Sequence, residues 1–277
     1  MAPNAMKDDF ARYLAAKRSV DDRALNGRVW RRLTNELASS AADPVRVVDA
    51  GAGIGTGAER MAEWRLAEPL SRLRYTGVEP REELLEKGSF RLRSLPFPAE
   101  LAGTTLEAFA AREGNRGSFD VVVAHALLDV LDLEPALEAL VGLSRPGGIL
   151  YFPIVFDGET LFEPAAEADE EILAAYHETM REKGRAGRRV FHRLRSIAAE
   201  VLEMGSSDWI VHPTRDGYPA DEAFFLGFIL KTIEAAVRDR VEASTLRAWI
   251  AERRHQLEAA KLLYGAHQID VLARKSS

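Results

Sequence analysis

The chain has 277 residues, 47% of them hydrophobic and 29% charged, a balance that supports a full buried core and excludes wholesale disorder. Lys and Arg number 37 against 43 Asp and Glu, so the net charge is −6 and a nucleic-acid partner is not expected without a local basic patch. Cysteine is absent, which excludes disulfides, thiolate metal sites and cysteine nucleophiles.

Residues 1–9 carry Asp8 and Asp9 where a secretory leader needs an apolar run, and no stretch reaches 18 consecutive apolar residues. A cytoplasmic protein with no membrane span is the expectation. Residues 20–38 read as helix: Ala24, Leu25, Val29, Trp30, Leu33 and Leu37 recur at helical spacing behind Asp21 or Asp22 as a cap. After Pro44, the short β-branched run 45–48 reads as a buried parallel strand. Glycines at 51, 53, 55 and 57 follow it, and a helix is predicted from Thr56. A second strand is predicted at 73–79, a weakly marked third at 104–107, and a clear fourth at 119–124. A helix over 134–144, the break at Pro146, Gly147 and Gly148, and a fifth strand at 149–155 complete the alternation. Strands separated by helices imply parallel pairing with helices on both faces.

Beyond 156 the pattern turns helical, with helices expected at 168–183, 188–204, 220–238 and 245–263. Residues 209–212 read as a short strand, and 267–273 alternate like a strand with one face buried. An acidic stretch at 157–182 precedes a basic run at 183–195, which either pairs with it or meets an anionic substrate.

The informative motif is DAGAGIGTG at 49–57. Glycines permit positive φ and close approach of backbone to a ligand, and the next helix presents free N–H groups there. The loop alone also satisfies a dinucleotide fingerprint, so a nicotinamide-dependent oxidoreductase stays open. Asp49 argues for another ligand: a carboxylate beside a pyrophosphate adds like-charge repulsion, whereas a cationic ligand would welcome it. Glu79, ending the second strand, can accept from two ribose hydroxyls.

In order along the chain come D-x-G-x-G-x-G, an acid closing the second strand at Glu79, the run FDVVVA at 119–124 and RPGGIL at 145–150. Together they resemble a class I, Rossmann-like S-adenosylmethionine-dependent methyltransferase over about residues 45–156. The resemblance implies an α/β fold with a doubly wound seven-stranded sheet in the order 3-2-1-4-5-7-6, strand seven antiparallel. Residues 209–212 would then be strand six and 267–273 strand seven. It implies S-adenosylmethionine as cofactor, with Asp49, Gly51, Gly53 and Gly55 along the methionine portion, Glu79 at the ribose, Glu107 near the adenine, and Ala124 and His125 close to the sulfonium. The expected activity is direct methyl transfer to a small-molecule acceptor, with a non-catalytic cofactor-binding module as a further alternative.

His125, directly after the fourth strand, is the leading candidate for a catalytic base, and Asp129 one turn further can orient it or touch substrate. Arg23, Tyr176, His212 and Tyr218 are candidate substrate contacts. No metal site is expected, since no histidine pair stands at helical spacing with carboxylate support. The predicted organisation is one domain over 1–277: an N-terminal helical segment at 1–44, a cofactor-binding core at 45–156, and helical insertions at 157–190 and 214–262 forming a substrate lid. An apolar face left over from that lid would serve a homodimer contact.

Overall fold

The computed structural model describes residues 3–197 and 199–276; Met1 and Ala2, at the head of the stretch expected to lack a leader, lie outside that description. The chain opens with two helices, α1 (Pro3–Ala24) and α2 (Gly27–Ala38). The single helix expected over 20–38 is therefore broken. Asn26 ends it, because its side-chain oxygen accepts from the backbone N–H groups of Arg28 and Val29 and so caps α2. Asp21 and Asp22 lie inside α1 and cap nothing.

The alternating part follows: β1 (Val45–Ala50), α3 (Thr56–Glu63), β2 (Leu73–Val78), α4 (Glu82–Leu92), β3 (Ala99–Ala102), α5 (Leu106–Ala110), β4 (Phe119–Ala124), α6 (Leu133–Leu143) and β5 (Ser144–Glu163). Then come α7 (Asp169–Thr179), α8 (Ala186–Ser196), β6 (Ala199–Ser206), β7 (Trp209–Val211), α9 (Glu222–Val237), α10 (Ala243–Glu258) and β8 (Leu263–Lys275). The sheet order is β3-β2-β1-β4-β5-β8-β6, with β7 added on β8. Strands β1 to β5 pair in parallel, and β8 runs antiparallel to β5, β6 and β7. The mostly parallel, doubly wound sheet is the expected one, with eight strands among the described residues rather than seven.

Two strand assignments change. The third strand is Ala99–Ala102, and Glu107 lies beyond it on α5, exposed to solvent. The sixth position belongs to Ala199–Ser206, within and just beyond the region expected as helix 188–204, and 209–211 is the additional strand. Both β3 and β6 are rich in Ala, Leu, Met and Glu, residues that favour helix, and both occupy sheet edges where pairing outweighs that local preference.

Alternation along the strands builds two layers. Val48, Ala50, Val122, Ala124, Leu150 and Phe152 face α5, α6 and α8. Val47, Val121, Val123, Ile149 and Tyr151 face α2 and α3. α8 thus lies in the same layer as α6, as the crossover from β5 to β6, although it falls partly within the segment expected as an insertion. A third apolar cluster joins α1, α7, α9 and α10 to the far ends of β5, β7 and β8, through Val20, Phe162, Ile172, Trp209, Phe225 and Trp249 among others. Among the described residues no helix is long and apolar enough to cross a membrane.

Candidate active site

The site is built on the C-terminal ends of β1, β2 and β4, where ligands of open α/β sheets bind. β1 delivers Asp49, which is paired in register with Gly77 of β2 and Val123 of β4 and is 2% exposed. The chain then turns through Gly51, Gly53 and Gly55, with φ of 71°, 56° and 82°. Gly55 is the left-handed residue at which α3 begins, a conformation costly for any side chain with a Cβ. Gly57 lets α3 come close: a Cβ there would stand 2.7 Å from Asp49 Oδ2.

Tyr75 on β2 donates its hydroxyl hydrogen to Asp49 Oδ2 at 2.8 Å, and the other oxygen, Oδ1, is buried without a partner. Burial pushes the Asp49 carboxyl up to about 6 despite that hydrogen bond. Glu79 sits just past β2. Its Oε2 accepts from the Gly53 N–H at 3.0 Å and its Oε1 from the Arg81 N–H at 2.9 Å, so it ties the glycine loop to the start of α4.

β4 delivers Ala124, fully buried, and then His125. Ala126 has a φ of 48° and donates its N–H to Pro153 O at 3.0 Å, a sharp turn that aims the preceding imidazole into the crevice. His125 Nε2 meets Asp21 Oδ2 at 3.0 Å, and its Nδ1 faces Arg60 Nη1 at 3.3 Å. Since Arg60 can only donate, Nδ1 is the acceptor and Nε2 carries the proton given to Asp21. Burial drops the His125 pKa to about 4, so the ring is neutral at physiological pH.

Asp21 also accepts from Lys17 Nζ at 2.6 Å and Trp209 Nε1 at 3.0 Å. These cationic and imidazole neighbours hold its carboxyl well below the ordinary carboxylate range in spite of burial. Arg60, on α3 and 3% exposed, bonds Asp22 Oδ1 through Nε at 2.6 Å and leaves Nη2 buried without a partner. The residue orienting His125 is therefore Asp21 of α1, in place of the expected Asp129.

A cavity of about 50 Å³ remains among Leu14, Lys17, Asp21, Asp49, Gly53 and His125. Sites for ligands of cofactor size usually measure roughly 300–1,000 Å³, so α1 lies in the mouth of the crevice. The walls nonetheless suit the methionine end of S-adenosylmethionine. Asp49 Oδ1 is an unmatched acceptor fit for an ammonium, and Arg60 Nη2 an unmatched donor fit for a carboxylate.

The other expected contacts separate. Arg23 pairs through both guanidinium nitrogens with Glu222, at 2.5 and 2.9 Å, and so pins α1 to α9. His212 is exposed beside its neighbour's carbonyl, Pro213 O, and Tyr218 donates to Leu262 O at 2.6 Å. Neither lines the crevice. Tyr176 packs against the helical cluster of α1, α7, α9 and α10 and is not among the residues that line the crevice. The basic run resolves into ion pairs: Lys183–Glu178, Arg188–Asp157, Arg189–Glu182 and Arg193–Glu134. The reading of the sequence missed Lys17, Asp21 and Arg60 as site residues. Their one signal was charge on the apolar side of amphipathic helices, with Lys17 and Asp21 four apart.

Residues 48–150 match a family model described as a methyltransferase domain. Among solved structures, a putative methyltransferase from Bacillus halodurans superposes with a TM-score of 0.54 at 12% identity, over 91% of this chain and 100% of that one. A S-adenosylmethionine-dependent methyltransferase from Thiobacillus denitrificans, in complex with S-adenosyl-L-homocysteine, gives a TM-score of 0.50 at 17% identity, over 91% and 93% of the two chains. No curated protein matches by sequence. The matched region covers the glycine loop and the strand ends that carry Asp49, Glu79 and Ala124, so residues 48–150 are similar to a methyltransferase domain and the chain shares the fold of S-adenosylmethionine-dependent methyltransferases.

Proposed function

We propose that this chain is a methyltransferase acting on a small-molecule acceptor, enclosed between the end of β4 and the helices α1, α7 and α9. The observation that carries the proposal is the position of the chain's own α1, whose Leu14, Lys17 and Asp21 line the crevice and narrow it to a cavity of about 50 Å³. In this reading Asp49 and Arg60 hold the ammonium and carboxylate of the cofactor's methionine portion. The backbone of Gly51, Gly53 and Gly55 allows it close approach, and Glu79 takes the ribose hydroxyls. When bound, S-adenosylmethionine supplies a methyl group already activated by its sulfonium, so the protein's task is alignment and exclusion of water.

Ala124 and His125 form the wall from which the acceptor approaches. Both nitrogens of His125 are engaged, so it presents a neutral, fixed face rather than a free lone pair. Its role is to position the acceptor, and Asp21 holds it for that role. The covering helices shut out bulk water, and the ion pairs of α1 with α9 and α3 set how tightly they do so: Arg12 with Asp221, Arg23 with Glu222, and Arg18 with Glu59.

The test is calorimetric titration of S-adenosylhomocysteine into the wild type and Gly53→Val, with NAD(H) as control ligand. At Gly53, where φ is 56°, a Cβ would stand 3.0 Å from Leu14, so the substitution strains the loop and narrows the crevice. Binding to the wild type and its loss in the variant are expected. Unchanged affinity in Gly53→Val would refute the site assignment.

A further inference from the structure

Asp270 of β8 is fully buried and stands where the pairing of β5 with β8 slips. Phe152 pairs with Val271 and Val155 with Ile269, so Pro153 and Ile154 of β5 face the single residue Asp270, which is a β-bulge. Pro153 has no N–H to give, and Ile154 has a φ of 58°, a genuine outlier for a β-branched side chain. The Ile154 N–H donates to Asp270 Oδ1 at 2.8 Å. The other oxygen, Oδ2, accepts from the Asn26 N–H, also at 2.8 Å, in the joint between α1 and α2.

A buried carboxylate is costly, and strained backbone persists only where its surroundings over-determine it. What these two bonds hold in place is the contact between His125 and Asp21. On one side the bulge carries Pro153 O, which accepts from the Ala126 N–H at 3.0 Å and so fixes the turn that aims His125. On the other side Asn26 follows the last turn of α1, where the Leu25 N–H donates to Asp21 O at 2.9 Å. Asn26 also donates from Nδ2 to Ser206 O at 2.9 Å, in a space open because residue 205 is glycine: a Cβ there would overlap the Asn26 amide. The two partners of the 3.0 Å bond between His125 and Asp21 are 104 residues apart in the chain, and both sides hang from the two oxygens of one side chain.

We infer that Asp270 is a positioning residue of the crevice: by tying the Ile154 bulge and the Asn26 joint to one carboxylate, it sets His125 of β4 in register with Asp21 of α1. The inference rests on the methyltransferase reading for calling His125 the wall that positions the acceptor; the arrangement of His125 and Asp21 itself does not. Asparagine at 270 has the same shape but one acceptor oxygen, so its NH2 would face one of the two backbone N–H groups and that side would come loose.

The experiment reads the His125 ring directly, by NMR of protein labelled with 15N in histidine, the signal being assigned by its absence from His125→Ala. In the wild type the ring should be neutral with its proton on Nε2, and that proton should exchange slowly with water. In Asp270→Asn its exchange should quicken on the order of tenfold, the factor that one lost hydrogen bond corresponds to. Gly205→Ala, which displaces Asn26 without touching Asp270, should quicken it as well, and it reads the α1 side alone should Asp270→Asn not fold. Asp120→Asn is the structural control. Asp120 is another buried carboxylate of this sheet that accepts a backbone N–H, that of Arg46 at 2.8 Å, but it lies at the far end of β4 from His125. Compared at matched loss of stability in urea, it should leave the His125 signal unchanged. Unchanged exchange in Asp270→Asn or in Gly205→Ala, or equal acceleration in Asp120→Asn, overturns the inference. Failure of the wild type to bind S-adenosylhomocysteine would instead count against the methyltransferase reading, whatever the His125 signal does.

Discussion

Asp49→Asn separates the cost of the buried Asp49 carboxylate from its proposed use. In the folded chain this carboxyl is pushed up to about 6, against an unfolded value near 3.8, because it is 2% exposed and half unpartnered. A group whose folded value is raised favours the folded state most when it is protonated, at pH below its unfolded value. That advantage is lost as pH rises through about 6. At 1.36 kcal/mol per unit, the wild type carries a penalty of about 3 kcal/mol by pH 7.5 and almost none below pH 4.

Asparagine never ionises and can still accept from Tyr75, so it carries no such penalty. Its amide N–H groups face the same crevice, which adds a cost of roughly 1–3 kcal/mol that does not vary with pH. The stability of Asp49→Asn relative to wild type should therefore rise by about 2 kcal/mol between pH 4 and 7.5, whatever its absolute value. Urea denaturation of both proteins at the two pH values measures this difference directly. The stabilisation that S-adenosylhomocysteine gives the wild type should vanish in the variant. A relative stability that stays flat between pH 4 and 7.5 would refute the claim that Asp49 is held ionised at a cost for the ligand's sake.

His125→Ala should lower turnover more than cofactor affinity, read by kcat against the calorimetric Kd of S-adenosylhomocysteine; full activity would remove it from the acceptor wall. Because the folded pKa of His125 is depressed to about 4, the wild type should lose stability as pH falls from about 6.5 towards 4. In an acid titration followed by circular dichroism that loss should be absent from His125→Ala. Asp21→Ala leaves Lys17 buried without its ion-pair partner, which should cost about 3–5 kcal/mol and show as a large drop in Tm. Glu222→Gln weakens the clamp on Arg23 and Ser19 that docks α1 on α9; it should raise hydrogen-exchange rates in α1 and leave the amides of β1 and β4 protected.

The parts of the fold legible in the sequence are those where local pattern and tertiary environment agree. Buried parallel strands such as 45–48 and 119–124 need apolar β-branched runs, and a ligand loop needs glycines where φ turns positive. Asp49 and Glu79 were legible for the same reason, since each ends such a strand. The edge strands β3 and β6 were not, because half-exposed edge positions accept helix-favouring residues. Glu107 illustrates the consequence: once β3 is placed at Ala99–Ala102, it falls on the outer side of α5.

By itself the sequence determined the parallel core, the crevice at its carboxyl edge and the acid-plus-glycine loop, all of which depend on contacts within a few residues. Only the tertiary structure decided what stands opposite that loop. Lys17 and Asp21 come from a helix about 30 residues upstream of Asp49, Trp209 from a strand some 160 downstream, and nothing local marks Asp21 as the partner of His125 or the other two as partners of Asp21. His125 looked like a free base because its position after β4 is local. It is a fixed, neutral wall because Asp21 and Arg60, brought in by packing, occupy both of its nitrogens. Asp129 looked like its helper and makes no contact with it, its Oδ1 left without a hydrogen-bond partner, since the choice of a buried group's partner is a property of the assembled interior.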